Sequence, residues 1–175
     1  MNRRSSSFAG GLSFLLLSLW LGAAIFFSSV VAPTAFGALR SFQVANVNEI
    51  AGSIVSRALA VINVGGAVIS LFLLALTLTA ERKNMKKSVV AGSVALSLMA
   101  GATVVGHWVI AARMHALRMA MVTIDLVSPD DPRRIAFNNL HRYSVMSLMA
   151  AMLAAIAALI FTGFRQMLRS RTASS

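Results

Sequence analysis

Histidine and arginine at the edges of apolar runs offer most of the chemistry in this chain. In Phe137-Asn138-Asn139-Leu140-His141-Arg142-Tyr143-Ser144 a polar segment turns into the last apolar run, and His141 and Arg142 stand side by side. His107 lies near the end of the third run, Arg57 near the start of the second, and Arg113 and Arg118 follow His107. Ionisable groups at such depths are costly in hydrocarbon and face a bundle interior or a wet cavity. Arg57, His107, Arg113, Arg118, His141 and Arg142 therefore form a candidate ligand-binding set for an anionic or metal-bearing ligand. The guanidinium groups would supply positive potential, and the imidazoles hydrogen bonds or ligation. The plainer alternative is structural, with helix-end arginines reaching lipid phosphates and histidines bonding nearby carbonyls.

A second chemistry attaches to methionine. His115 and Met119 are four apart on one helix face, Met114 and Met121 lie beside them, and Met146, Met149 and Met152 make a three-spaced row. Thioethers with imidazole suit Cu(I), and haem takes axial His or Met. His107, His115, Met119 and His141 are thus the candidate metal ligands, with copper or haem as the candidate cofactor. Methionine is also a filler of irregular apolar packing, and there is no His-x-x-x-His pair. Metal or haem handling, with redox activity, is accordingly the runner-up reading.

Catalysis has little to stand on. The chain has five carboxylates, of which Asp130 and Asp131 belong to a turn and a helix cap, and no apolar run contains one. A proton carrier built on intramembrane acids is not expected. A Gly-rich phosphate loop after a strand and a nucleophile elbow are both missing. Cysteine is absent, which removes disulfides, thiolate metal sites and cysteine nucleophiles. The expected activity is non-enzymatic.

The elements that position these residues follow from composition. Of the 175 residues 58% are hydrophobic and only 12% charged, about half the charged share of a soluble domain. Four apolar stretches of about the length that crosses a bilayer account for this. The net charge of +11 comes from basic residues flanking those stretches, as topology signals and anionic head groups require. It does not form a basic face with interleaved aromatics, so nucleic acid is not an expected partner.

Along the chain, the first run, about 8–32, is too long for a signal-peptide core and reads as a retained span. Trp20 falls near its middle, so its indole N–H needs a partner inside the bundle. Ser18 and Gly22 offer a flat strip for close packing. Pro33 is expected to end or kink this helix, with amphipathic spacing continuing from Phe36 to Ile50. Asn46 with Glu49 resembles a capping box for the second span, 53–80, which carries Asn63 and Gly65-Gly66. After the basic loop 81–87 comes the third span, 88–112, where Ser93, Ser97 and Gly101 make a small-residue stripe. Met114, Leu117, Met121 and Ile124 carry its helical spacing past the bilayer. Ser128-Pro129-Asp130-Asp131-Pro132 is a turn, with Asp131 as N-cap and Pro132 as the first helical residue. The fourth helix then enters the membrane near Tyr143 and spans 143–164.

Nine basic residues flank the side bearing both termini against seven on the other, and all the lysines are on the first side. This places both termini in the cytoplasm and 113–142 outside as a helical hairpin. Trp20-Leu21-Gly22, Ala32-Pro33 with Phe36, an arginine after the third span (Arg113 or Arg118) and Leu140-His141-Arg142 resemble the transmembrane-protein-205-like family. That resemblance implies a four-span protein built on a domain of unknown function, and no established activity. The family's asparagine after Leu-His-Arg is replaced here by Met146-Ser147-Leu148-Met149.

The chain thus reads as an all-α, single-domain, four-helix antiparallel transmembrane bundle over residues 1–175, with helices extended on the extracytoplasmic side. The expected location is the plasma (inner) membrane. Expected partners are the lipid bilayer, anionic lipid head groups and, for any conduction, further copies in a homo-oligomer. The expected role is a binding or transport-associated protein with a basic, histidine-bearing outer cavity.

Overall fold

In hydrocarbon every backbone N–H and C=O must be satisfied within the segment, and a helix does this for an uninterrupted apolar run. The computed structural model describes residues 3–81 and 87–171, with side chains over 9–167, and all its regular structure is helical. The first rod consists of α1 (Arg3–Phe26), a π-helical turn (Phe27–Val31) and α2 (Ala32–Ser41). The second is α3 (Val47–Ala80). The third joins α4 (Lys87–Val104), a π-helical stretch (Val105–Ala111) and α5 (Ala112–Met121). A 3-10 turn, Ile124–Leu126, leads to the fourth, α6 (Pro132–Arg171). Each rod contains a helix long and apolar enough to cross a membrane. The chain is therefore an all-helical, multi-pass membrane protein.

The rods form a bundle in which α1 packs on α3 and α6, and α4 packs on the same two from the other side. Small residues let these helices approach closely. Ala151, Ala154, Ala155 and Ala158 of α6 meet a core that includes Leu17, Leu73, Ala95 and Met99. Trp20 donates its indole N–H to the Ile62 carbonyl at 2.8 Å, so the partner it needs is found. Gly66 makes that contact possible, because a Cβ there would sit 2.8 Å from both the Trp20 ring and Thr103.

The packing strips lie elsewhere than the spacing suggests. Gly22 and Gly101 have nothing within 4 Å of where a Cβ would stand, and Ser97 is exposed. The buried edge of α4 runs through Gly92, Ala95, Met99 and Thr103, about 100° around from the Ser93 stripe at 3.6 residues per turn. Small side chains fit either face, and the larger neighbours decide which is inside.

Pro33 does not end its helix. The π-helical turn ahead of it widens the backbone of a continuous rod, making room for a ring that clashes with a regular helix and has no N–H to donate. The helix stops at Ser41 in a Schellman arrangement. Val44 N–H donates to the Leu39 carbonyl at 3.2 Å, and Gln43 N–H to Arg40 at 3.0 Å. Gln43 takes the left-handed conformation, φ 51°. The amphipathic helix expected through Ile50 is thus broken between Ser41 and Val47.

The Asn46–Glu49 capping box does not form either. Asn46 is left-handed and its side chain caps nothing. Asp125 does the capping instead, accepting from Asn48 Nδ2 at 2.6 Å and from the Asn48 and Glu49 backbone N–H groups at 3.4 and 3.1 Å. The Asp131 cap is as expected: it accepts from Arg133 N–H at 2.8 Å, and α6 begins at Pro132. The basic loop 82–86 lies outside the described residues.

Charged residues bound the apolar part of the bundle. Arg57, Arg113 and Arg142 are exposed, each about 12–15 Å along its helix from the end bearing the α2–α3 and α5–α6 turns, here the distal end. Trp108 and Tyr143 stand exposed at nearby levels, as aromatic belts do. From these arginines to Glu81, Lys87 and Arg165 the helices run about 34–39 Å without another charged residue, enough for a hydrocarbon core of about 30 Å. Beyond the arginine ring the distal ends continue as a helical cap.

Candidate functional site

From that cap to a little below the arginine ring, the helices enclose a cavity of about 450 Å³. Each wall is a single helix stripe. On α3 it is Asn48, Gly52, Val55, Ser56, Leu59, Ala60 and Asn63, and on the third rod His107, Ala111, Met114, His115 and Arg118. On α6 it is Arg134, Phe137, Asn138, His141 and Ser144, while α2 adds Phe36 and Arg40. Steps of three and four residues keep each set on one face.

The same geometry sorts the expected site residues. His107, Arg118 and His141 line the cavity. Arg57, Arg113 and Arg142 do not; each follows or precedes a lining residue by one position and is turned about 100° away, into the exposed ring. His115 also lines the cavity, but Met119 is 68% exposed outside it. Met146 and Met149 are exposed as well. Among the described residues no three of His, Cys, Asp and Glu are grouped to hold a metal ion.

Arg118 is the most constrained group in the cavity. Its Nε lies 3.4 Å from Glu49 Oε1, and its guanidinium sits 5.6 Å over the Phe137 ring, within cation–π range. It occupies the space left by Gly52, where a Cβ would stand 2.5 Å from Nη2. Glu49, expected to cap its own helix, instead holds this arginine. Arg134 donates to the Val127 carbonyl, tying the start of α6 to the turn before it.

His107 marks the floor. It belongs to the π-helical stretch Val105–Ala111, a local widening frequent at functional sites. Its ring meets Trp108 edge-on at 4.6 Å, and its buried Nδ1 has no hydrogen-bond partner in the protein. Gly106 lets the third rod approach here, since a Cβ would fall 3.2 Å from Asn63 Nδ2 and 3.4 Å from Ser147 Oγ. Ser147 in turn donates to the Ala102 carbonyl at 2.7 Å. Asn63 is itself buried.

The lining thus holds three arginines (Arg40, Arg118, Arg134), all three histidines and no carboxylate. Arg40, Arg134, Asn138 and Asn63 were not singled out as site residues from the sequence. Their signal was helical register: 134, 138 and 141 share the α6 stripe, and 56, 59 and 63 the α3 stripe. A second hollow of about 40 Å³ lies at the other end of the bundle, beside Ser13 and Thr162, with room for about one water.

Comparison with curated proteins and with solved structures returns no match. The family model for a domain of unknown function, DUF4149, matches residues 15–123. The match runs from the middle of α1 through the second and third rods, and with them the α2, α3 and α5 walls of the cavity. Spanning more than half of the chain, it shows that this protein belongs to the DUF4149 family.

Proposed function

We propose that this is a non-enzymatic, binding or transport-associated membrane protein that holds an anionic ligand in the distal cavity. Both termini lie in the cytoplasm, and the cavity faces outward from the inner membrane. One observation carries the reading: a cavity of about 450 Å³ has three arginines in its lining and no carboxylate. Volumes of this order suit small ligands, and guanidinium groups favour phosphate and carboxylate. Asp125 caps the α3 N-terminus and Glu49 offsets the charge of Arg118, leaving Arg40 and Arg134 without a carboxylate partner among the described residues. The kinship with transmembrane-protein-205-like proteins belongs to the same proposal, supported by Trp20 in the core and His141 in the cavity.

Copper or haem handling is the second reading, favoured by the unpartnered His107 Nδ1 in a cavity that His115 and His141 also line, though the three are not grouped around one point. An absorption spectrum and metal analysis of the detergent-purified protein separate the two. A Soret band or stoichiometric copper lost in His107→Ala would replace the anion proposal. The anion proposal expects thermal stabilisation by at least one of inorganic phosphate, sulfate and dodecyl phosphate, reaching about 2.7 kcal/mol at a hundredfold excess over Kd. No stabilisation, or equal stabilisation of an Arg118→Gln/Arg134→Gln variant, would count against it. Ser128 is exposed, so Ser128→Cys in this cysteine-free chain should be alkylated in intact cells. Labelling only after permeabilisation would reverse the orientation.

A further inference from the structure

The cavity wall has a gap between α2 and α6, whereas Arg118 of α5 closes the seam with α3 against Glu49 and Gly52. Below the π-helical turn at Phe27–Val31, α1 packs on both α3 and α6. Above it, α2 packs substantially on α3 and makes no comparable contact with α6. The α1–α6 seam therefore opens distally into a slot bordered by Phe36 and Arg40 on one edge and Asn138 and His141 on the other. The slot starts beyond the arginine ring and descends to it, so it faces the head-group layer of the distal leaflet.

Polarity inside the cavity follows the same axis. Arg40, Arg118 and Arg134 sit within about 5 Å, along their helices, of the distal ends. Leu59, Asn63 and His107 lie about 18–24 Å down, where no formal charge lines the wall. A lipid of the distal leaflet has the same gradient, with phosphate toward water and chains toward the midplane. The volume equals about fifteen waters, which accommodates a phosphorylated head group and the first few chain atoms but not two whole acyl chains.

Resting on the anion reading above, we infer that the ligand is a phosphate-bearing lipid that enters sideways between α2 and α6. Its head group is held by Arg118 and Arg134, and its chains remain in the bilayer. Free phosphate shares the head-group chemistry but needs no lateral slot.

The test uses the full-length protein in neutral detergent and native mass spectrometry with phosphatidic acid, phosphatidylcholine and inorganic phosphate. Wild type should retain phosphatidic acid over phosphatidylcholine by about tenfold or more, the scale of one charge-assisted hydrogen bond. Arg118→Gln/Arg134→Gln should lose that preference, Arg118→Lys/Arg134→Lys should restore part of it, and Arg57→Gln/Arg142→Gln should leave it intact. Circular dichroism checks that each variant is folded. Bridging Phe36→Cys to Asn138→Cys with a bismaleimide should block phosphatidic acid uptake but not binding of inorganic phosphate. Loss of preference in the Arg57/Arg142 variant alone would assign the lipid to the surface ring and overturn the inference. Phosphate binding equal to lipid binding, with an indifferent bridge, would overturn lateral entry while leaving the anion cavity standing. Binding of none of the three would remove both.

Discussion

Two adjacent glycines on α3 should respond to alanine with opposite signs. At Gly66 the added Cβ would lie 2.8 Å from Trp20 Nε1, Trp20 Cε2 and Thr103 Cγ2, with Trp20 only 5% exposed. Overpacking a tight core costs about 1–3 kcal/mol. Displacing the indole from the Ile62 carbonyl removes a hydrogen bond worth about 1 kcal/mol. Alanine's better helix propensity returns about 1 kcal/mol, leaving Gly66→Ala less stable by about 1–3 kcal/mol. At Gly65 a Cβ would meet nothing within 4 Å, so only the propensity gain of about 1 kcal/mol applies. The two variants should therefore differ by about 2–4 kcal/mol. Reversible unfolding in mixed micelles, followed by helical ellipticity, measures this, and tryptophan fluorescence should shift in Gly66→Ala only. Equal midpoints for the two variants would refute the packing of Trp20 against this turn.

Three further outcomes follow from the distal turns. Asp125→Ala removes three accepted hydrogen bonds and an anion from the α3 N-terminus and should cost about 1–3 kcal/mol; a loss under about 0.5 kcal/mol in the same unfolding assay would deny it the capping role. Val122 has φ 62° and ψ −56° at the centre of a tight turn closed by Thr123 N–H to the Met121 carbonyl at 2.7 Å, a strained geometry for a β-branched residue. Val122→Gly should therefore stabilise by about 1 kcal/mol, and a lower unfolding midpoint would contradict it. Hydrogen bonds from the Arg133 side chain and backbone hold the Asp131 carboxyl down, from 3.8 to about 2. A depressed carboxylate contributes stability that is fully present above its unfolded value and lost as pH falls through the folded one. The difference in melting temperature between wild type and Asp131→Asn should thus shrink from pH 4 to pH 2, and a constant difference would show that the charge is not involved.

The fold was legible because its signals are local or additive. Apolar length gives the spans, and Asp131-Pro132 gives the start of α6. The site was half legible. Residue type drew attention to His107, Arg118 and His141, all of which line the cavity, but also to Arg57, Arg113 and Arg142, which face outward. Type carries depth, whereas register carries direction, and a one-residue step turns a side chain about 100°. The Asp125 cap was beyond local reading because donor and acceptor are 77 residues apart. Of the two outcomes Pro33 suggested, an end is excluded for a related reason: a widened turn absorbs the ring, and nothing in Phe26-Phe27-Ser28-Ser29 announces it.

The distance between Asp125 and the helix it caps has a consequence during synthesis. At about 5–20 residues per second, the N-terminus of α3 leaves the ribosome about 4–15 s before the aspartate that caps it. Until then the Asn48 and Glu49 N–H groups have no carboxylate to bond, and the cavity wall that begins there is unfinished. Chains truncated just before and just after Asp125 should accordingly differ in proteolysis near Asn46, and equal cleavage would dissolve the dependence. The turn after the third rod thus completes the start of the second: the α3 N-terminus stays uncapped until the whole of the third rod has been made.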